Sequence, residues 1–357
     1  MKTGRSGIEV VKSAVRNLRA YSLSPDRATI KINQNENPWD APLRIKEETL
    51  RRLADRQWSR YPDFIPVELH RRLGEFAQWD ADGVLAGNGS NELIQALLMV
   101  SVSDRKRVLI SEPTFALYRQ VATVLGGQVL SVPLNDAFQF DTETLLRVIE
   151  RTSPDVVILC SPNNPTGCQI SDDDLRRILS TSTGLVVIDE AYHEFSEHSV
   201  VPLLSEFENL VVLRTFSKAM ALAAFRVGYL LAGPALVTEI RKALLPYNLN
   251  AFSQAAAEVA VELYDAELKP LVQAIITERD KLFSQLSEID GFGPVASRAN
   301  FMIVKSELGP KKVFGELLKR DILIRDVSSY PMLGDYFRFS LGTPEENKKL
   351  IAALKEI

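Results

Sequence analysis

Residues 155–192 read DVVILCSPNNPTGCQISDDDLRRILSTSTGLVVIDEAY and contain two short apolar runs on either side of a segment with helical spacing. Consecutive apolar residues are typical of strands that are buried on both faces of a parallel sheet. The segment between the runs begins with Ser171, a residue type that favours helix N-caps, and three aspartates fill its first turn. The stretch therefore predicts a strand–helix–strand unit, the building block of a parallel α/β sheet.

The same pattern extends on both sides of this unit. Five more β-rich apolar runs lie between residues 84 and 232, namely VLAG, RVLIS, QVLSV, LVVLR and VGYLLA. Helix-like segments separate them. We predict an α/β fold with a mostly parallel central sheet flanked by helices, in a large domain over residues 31–250.

The C-terminal part of the chain has a different pattern. Residues 251–289 have helical spacing with a break near Pro270, which predicts two helices or one kinked helix. Beyond Gly291 short apolar runs are interspersed with helix-like segments, as in a smaller α+β domain. We predict that residues 251–357, together with an N-terminal arm of residues 1–30, form this second domain.

The composition excludes several classes of protein. The chain has 357 residues, 46% of them hydrophobic, and its 42 basic and 46 acidic residues give a net charge of −4. This balance offers no basic field for nucleic acid, and Cys160 and Cys168 are too few for a disulfide scaffold. The N-terminus lacks the apolar stretch of a signal peptide, and no apolar run is long enough to span a bilayer. We expect a cytoplasmic protein that binds neither nucleic acid nor membrane.

Four polar motifs follow the apolar runs. They are GNGSNELI (87–94), SPNNPTG (161–167), DEAY (189–192) and TFSKAMALAAFR (215–226). In an open parallel sheet these positions lie at the carboxyl ends of strands, where ligands bind in this architecture. Each motif alone has an ordinary explanation as a turn, a helix cap or a surface charge. Their shared placement predicts one active site.

These motifs, together with INQNENPWDAP at 32–42, YPD at 61–63 and RFSLGTPEEN from residue 338, resemble the fold type I pyridoxal-phosphate-dependent aminotransferases. The resemblance covers almost the whole chain, and within the family it is greatest to the class II subgroup that acts on histidinol phosphate. It implies pyridoxal 5′-phosphate as the cofactor and a homodimer. The implied reaction, a step of histidine biosynthesis, moves the amino group of L-histidinol phosphate to 2-oxoglutarate and gives imidazole acetol phosphate and glutamate.

The resemblance assigns five residues to the cofactor ring. Lys218 matches the lysine that binds the cofactor aldehyde, is displaced by the substrate amine and then moves the substrate proton, which requires a pKa lowered towards about 7 to 8. Asp189 matches the carboxylate that keeps the ring nitrogen protonated. Asn164 and Tyr192 match the hydrogen-bond donors to the phenolic oxygen. Phe115 matches the aromatic ring that stacks on the pyridine face, commonly a tyrosine in close relatives.

The cofactor phosphate is expected at a helix N-terminus, where free N–H groups and the helix dipole favour an anion. The family's phosphate-binding positions are matched by Gly89, Ser90, Asn91, Ser217 and Arg226. Tyr61 matches a tyrosine that reaches the cofactor phosphate of the neighbouring subunit. Glu92 stands where the last glycine of a GxGxxG motif would be, so a dinucleotide site is disfavoured.

Three residues match substrate-binding positions of the family. Arg338 matches the arginine that grips the α-carboxylate of amino acids, and Arg325 matches a second arginine that faces phosphate. Because histidinol phosphate has a phosphate ester and no carboxylate, both cations would face the ester. Tyr21 matches a substrate-side tyrosine near the N-terminus. Asn35 lies in a segment that resembles the family's N-terminal lid and is assigned no role.

Other functions share parts of this pattern. A threonine-phosphate decarboxylase also needs a pair of arginines that bind phosphate, and a broad aromatic aminotransferase would use the same fold. A non-catalytic regulator on this fold would usually carry a DNA-binding module, for which the roughly 30 residues before INQNENP leave no room. His193 and His198 lack the spacing of an HExxH helix and have no third ligand near them in sequence, so no metal site is expected.

Overall fold

The structure is a computed structural model that describes residues 7–18, 20 and 25–357 of the chain. Within these residues the strands are β1 (Ile30–Lys31), β2 (Val84–Gly87), β3 (Arg107–Glu112), β4 (Gln128–Pro133), β5 (Val156–Cys160), β6 (Leu185–Asp189), β7 (Leu210–Thr215), β8 (Gly228–Leu231), β9 (Phe292–Pro294), β10 (Phe301–Ser306), β11 (Ile322–Leu323), β12 (Arg325–Asp326) and β13 (Tyr336–Ser340). The α-helices are α1 (Ser13–Arg16), α2 (Leu43–Ala54), α3 (Val67–Ala77), α4 (Ser90–Ser101), α5 (Leu117–Leu125), α6 (Thr142–Thr152), α7 (Asp172–Thr181), α8 (His193–Ser196), α9 (Pro234–Arg241), α10 (Ala251–Glu262), α11 (Lys269–Ser287), α12 (Pro310–Lys319) and α13 (Pro344–Lys355).

The large sheet contains all of the apolar runs predicted between residues 84 and 232. In the described part of the chain its strand order is β2-β8-β7-β6-β5-β3-β4. The strands from β7 to β4 are parallel to one another, which confirms the predicted mostly parallel sheet. The run GYLL in β8 differs, because it pairs antiparallel with both β7 and β2. A run that is buried on both faces has the same apolar pattern in either direction, so its sequence does not reveal this reversal.

The reversed direction of β8 determines which residues reach the carboxyl edge of the sheet. Gly228 begins β8 and pairs with Gly87 at the end of β2 and with Thr215 at the end of β7. A Cβ atom at Gly228 would lie 2.3 Å from the backbone nitrogen of Ser90, so the close approach of these segments requires glycine. The residues just before β8, Arg226 among them, therefore lie at the same edge as the motifs that follow β2 and β7.

Two apolar cores cover the two faces of the large sheet. Successive strand residues alternate between them: Val157 belongs to the core with α3, α6, α7 and α10, whereas Val156 and Ile158 belong to the core with α4, α5 and α9. The predicted crossover helix α7 begins after Ser171, whose hydroxyl accepts a hydrogen bond from the N–H of Asp174 at 3.1 Å. These contacts confirm the predicted layered α/β architecture.

The C-terminal part forms a second sheet with its own core. Over the described residues this sheet has the order β12-β13-β10-β9 and is antiparallel, with α11, α12 and α13 in the same apolar cluster as its strands. The predicted break near Pro270 is present: a π-helical segment, Tyr264–Leu268, separates α10 from α11, and Pro270 lies in the first turn of α11. Helix α10 packs against α2 and α3. The division into residues 31–250 and the remainder stays a prediction.

The lengths and compositions of the described helices test whether one of them could span a membrane. None of those within residues 7–18, 20 and 25–357 combines the length and the apolarity that crossing a bilayer requires.

Candidate active site

A cavity of about 560 Å³ lies at the carboxyl edge of the large sheet and is closed by residues from β12, β13 and the segment after β1. The residues predicted for the site that line it are Ser90, Asn91, Phe115, Asn164, Asp189, Tyr192, Ser217, Lys218, Arg226, Arg325 and Arg338. Gly89 lies at the same turn, directly before α4. Tyr61 does not line the cavity, and Tyr21 lies outside the described residues.

Lys218 lies in the loop after β7 and extends its amine into the cavity. Its Nζ atom donates a hydrogen bond to the backbone carbonyl of Gln34 at 2.9 Å. Burial, followed by the positive charge of Arg338, lowers the pKa of Lys218 from its ordinary value to about 7. A substantial fraction of this amine is therefore unprotonated near neutral pH, the form that acts as a nucleophile and as a base.

Asp189 ends β6 and has a side chain that is almost completely buried. Its Oδ1 atom accepts a hydrogen bond from the N–H of Ala191 at 3.1 Å, and its Oδ2 atom accepts one from the hydroxyl of Tyr118 at 2.6 Å. Burial raises the pKa of Asp189 to about 6, while the hydrogen bond from Tyr118 acts in the opposite direction. The site thus holds a buried carboxylate that is largely ionised at neutral pH.

Tyr118 is a site residue that the sequence analysis missed. It lines the cavity from α5, and its ring packs edge-on against Phe115 with the centroids 5.6 Å apart. The signal available in the sequence is its spacing, because a residue three positions after Phe115 lies on the same face if the segment is helical.

Tyr192 and Asn164 are each held by a residue from the C-terminal part or from the segment after β1. The hydroxyl oxygen of Tyr192 accepts a hydrogen bond from the side-chain amide of Asn35 at 3.0 Å. The carbonyl oxygen of the Asn164 side chain accepts one from Nη1 of Arg338 at 2.5 Å. The Tyr192 hydroxyl hydrogen and the Asn164 NH₂ group are therefore the donors left for a further acceptor. Asn35, to which no role was assigned, is a second contact that the sequence analysis missed.

The turn before α4 presents hydrogen-bond donors to the cavity. Gly89 has a positive φ of 82°, and a Cβ atom there would lie 2.7 Å from Nη2 of Arg226, so the turn requires glycine. The guanidinium of Arg226 also donates to the hydroxyl of Ser217 at 2.9 Å. The N-terminus of α4, a hydroxyl and a guanidinium thus converge, and this donor set suits a phosphate.

Arg325 and Arg338 are direct partners across the antiparallel pair of β12 and β13. Arg338 is buried, and its Nη2 atom donates to the backbone carbonyl of Asn33 at 2.9 Å. Like charges directly opposite each other destabilise a sheet unless an anion lies between them. Their common position on the cavity wall therefore suits an anionic ligand.

Tyr61 lies on the surface of the chain and does not line the cavity. Its side chain is 78% exposed, and its ring stacks on that of Tyr247 with the centroids 4.5 Å apart. The exposed ring of Phe64 packs edge-on against Tyr247 and extends this aromatic surface, and Trp58 forms a separate exposed aromatic pair with Phe252. The structure does not bring Tyr61 together with the other predicted site residues.

Comparison with known proteins identifies the family. Residues 27–354 match the model for class I and II aminotransferases. A histidinol-phosphate aminotransferase from Chlorobium phaeovibrioides is 37% identical over 355 residues, which are 99% of this chain and 98% of that protein. A histidinol-phosphate aminotransferase from Chlorobium phaeobacteroides is 38% identical to this chain, over 97% of this chain and 96% of that protein.

Solved structures show the same fold. The histidinol-phosphate aminotransferase from Clostridium acetobutylicum has a TM-score of 0.85 at 25% identity, over 92% of this chain and 98% of that one. The protein of the same name from Sinorhizobium meliloti, solved in complex with pyridoxal-5′-phosphate, has a TM-score of 0.84 at 24% identity, over 92% of this chain and 91% of that one. The predicted fold type is confirmed by these similarities. On the family match and the full-length identity together, the chain belongs to the class I and II aminotransferases.

Proposed function

We propose that this chain binds pyridoxal 5′-phosphate in the cavity and catalyses amino transfer from L-histidinol phosphate to 2-oxoglutarate. The observation that carries the proposal is that one cavity holds a lysine of lowered pKa, a buried carboxylate and a cross-strand pair of arginines. The names of the full-length relatives support the choice of substrate.

The residues present fit the cofactor at each of its functional groups. The cradle at Gly89, which a Cβ atom would fill, and the donors beside it suit the phosphate. The buried acid Asp189 suits a cationic ring nitrogen, and the ring of Phe115 suits a stacking partner. The groups assigned to the aldehyde and the phenolic oxygen are the Lys218 amine, the Asn164 amide and the Tyr192 hydroxyl. When bound, the cofactor supplies an electron sink for the charge that develops at the substrate Cα.

The chain's own residues then divide the work of proton transfer and positioning. Nζ of Lys218 would take the proton from the substrate Cα, and its pKa of about 7 allows it to bind and release that proton at neutral pH. Asp189 contributes a fixed negative charge in a buried site, where an electrostatic interaction is stronger than in water. Arg338 holds the Asn164 amide and faces the substrate with the same guanidinium.

The two arginines also account for the use of two substrates by one site. A phosphate ester offers a dianion to two guanidinium groups, and the carboxylates of glutamate and 2-oxoglutarate offer anions to the same pair. The two half-reactions would therefore occur in one cavity.

We also propose that the enzyme is a homodimer. The exposed aromatic surface around Tyr61 and Tyr247 is larger than isolated surface residues would form, and such patches mark interfaces between proteins. A twofold pairing through this surface would allow Tyr61 to reach the cofactor phosphate of the partner subunit. This assignment explains why Tyr61 lies outside the cavity of its own subunit.

A panel of amino donors tests the substrate assignment. We expect kcat/KM for histidinol phosphate to exceed that for phenylalanine by at least about 100-fold, because the phosphate ester offers a dianion to both guanidinium groups, whereas phenylalanine offers them a carboxylate of a single charge. Threonine phosphate should release no carbon dioxide. A preference for phenylalanine would favour the broad aromatic aminotransferase, and release of carbon dioxide would favour the decarboxylase. Either result would leave the cofactor assignment unchanged.

Arg325→Ala is expected to weaken the use of histidinol phosphate selectively. Loss of one charge-assisted hydrogen bond corresponds to about 1.5 to 3 kcal/mol, or about 10- to 100-fold in kcat/KM. Histidinol without the phosphate should lose less than about threefold. The matched control is Arg320→Ala, which removes an arginine that bonds Glu316 outside the cavity and should change neither value. An equal loss for both donors would show that Arg325 does not bind the ester.

A further inference from the structure

Tyr118 donates a short hydrogen bond to the buried acid of the site, although no role was assigned to it from the sequence. It is completely buried in the first turn of α5, and its hydroxyl lies 2.6 Å from Oδ2 of Asp189. Within the described residues the other donor to this carboxylate is the backbone N–H of Ala191, which bonds Oδ1. Tyr118 is therefore the side chain on which the second carboxylate oxygen depends.

The neighbouring groups indicate that the tyrosine keeps its proton and donates it. Burial raises the pKa of Tyr118 and that of Cys160, the titratable residue of β5 beside it, so both remain neutral. The thiol of Cys160 donates to the carbonyl of Pro162 at 3.3 Å. The hydroxyl hydrogen of Tyr118 is thus directed to Asp189, the charged acceptor within reach.

The other titratable groups near Asp189 do not replace this donor. Glu190 adds a negative charge next in sequence, but its own carboxylate is held by Arg214 at 2.9 Å. Tyr192 lies near enough to feel the charge of Asp189, but among the described residues the hydrogen bonds to that carboxylate come from Tyr118 and Ala191 and not from the Tyr192 hydroxyl. Without Tyr118 the buried Asp189 carboxylate would accept one hydrogen bond, from the backbone of Ala191, and would still be repelled by the charge of Glu190. Both conditions favour the neutral form of Asp189.

We propose that Tyr118 is a positioning residue that keeps the Asp189 carboxylate ionised and oriented, so that the ring nitrogen of the cofactor meets a negative charge. The inference rests on the proposed function, since it gives Asp189 the role of partner to that nitrogen. Tyr118 would therefore act on the electronic state of the cofactor through Asp189, from a position in the first turn of α5.

The test uses Tyr118→Phe, which removes the hydroxyl and keeps the ring. The first readout is the protonation of Asp189 in the cofactor-free protein, followed by infrared spectroscopy against pH, with the Asp189→Asn variant identifying the carboxyl band. We expect the pKa of Asp189 to rise by about one to two units in Tyr118→Phe, the size of a lost charge-assisted hydrogen bond. An unchanged titration of Asp189 would overturn the proposal.

The second readout is the affinity for pyridoxal phosphate, measured by quenching of protein fluorescence. At pH 7 we expect Kd to increase by about two- to tenfold in Tyr118→Phe, because a rise of one to two units in the pKa of Asp189 would leave much of this carboxyl neutral there. The defect should shrink as the pH rises and Asp189 ionises again. A defect of constant size across pH would indicate a structural role and would contradict the proposal.

The matched control is Tyr229→Phe. Tyr229 is also buried, and its hydroxyl contacts a buried charge, Nη1 of Arg214 at 3.3 Å, but it does not line the cavity. Its loss should lower the stability to urea comparably and leave both readouts unchanged, whereas equal effects in the two variants would refute the specific role of Tyr118. If the wild-type protein fails to bind pyridoxal phosphate, the proposed function fails, while the infrared titration still decides the contact between Tyr118 and Asp189.

Discussion

Lys218→Ala is expected to abolish amino transfer, with a fall in kcat of at least about 10⁴-fold. Two functions are lost together, because the same amine would hold the cofactor and move the substrate proton. Among the described residues that line the cavity, Lys218 is the one lysine, so no neighbouring amine can replace it. The measurement is steady-state turnover of histidinol phosphate, accompanied by the visible absorbance of the bound cofactor, which should lose its lysine-dependent band.

Two further variants show whether the reaction needs the reactive amine of Lys218 or only a positive charge. Lys218→Arg keeps a positive charge but cannot release its proton at neutral pH, so it should be as inactive as the alanine variant. Lys106→Ala removes an exposed lysine that bonds Asp155 outside the cavity, and it should retain full activity. Turnover near the wild-type rate in Lys218→Ala would reject the assignment of this residue.

Asp189→Asn is expected to lower kcat by about 10²- to 10³-fold, the typical effect of removing one preorganised electrostatic group from a buried site. The amide has nearly the same shape and cannot supply the negative charge that keeps a ring nitrogen protonated. The measurement is the rate of the half-reaction with histidinol phosphate under single-turnover conditions. This isolates the step at the substrate Cα from product release.

The control for this charge is Asp172→Asn, which replaces an exposed aspartate in α7 that pairs with His198. It should leave the half-reaction unchanged. If Asp189→Asn reacted at the wild-type rate, the buried carboxylate would have no part in activating the cofactor. The proposal for Tyr118 would then lose its functional meaning as well.

The strands could be predicted because a strand that is buried on both faces has consecutive apolar residues in its own sequence. The position of the motifs could be predicted because they follow these strands. The runs that became β5, β6 and β7 each end directly before a polar motif, and parallel pairing brings those ends to one edge. The direction of β8 could not be predicted in this way, because pairing is a property of neighbouring strands and not of the run itself. Arg226 nevertheless reaches the site, since β8 begins at that edge.

The contacts that orient the site residues were beyond the sequence for a different reason. Asn35 bonds Tyr192 across 157 positions, and Arg338 bonds Asn164 across 174. Such partners meet only after the two sheets have packed together, so neither residue's local pattern indicates the other. The hydrogen bond from Tyr118 to Asp189 is also long-range in sequence, because the two residues are 71 positions apart.

The proposed reaction requires that the amine of Lys218 binds the cofactor covalently. It is tested most directly by reducing the cofactor-loaded protein with borohydride, digesting it and locating the attached pyridoxyl phosphate by mass spectrometry of the peptides. We expect one modified peptide, with the added mass on Lys218. Modification of a different lysine, or no retained cofactor after reduction, would contradict it.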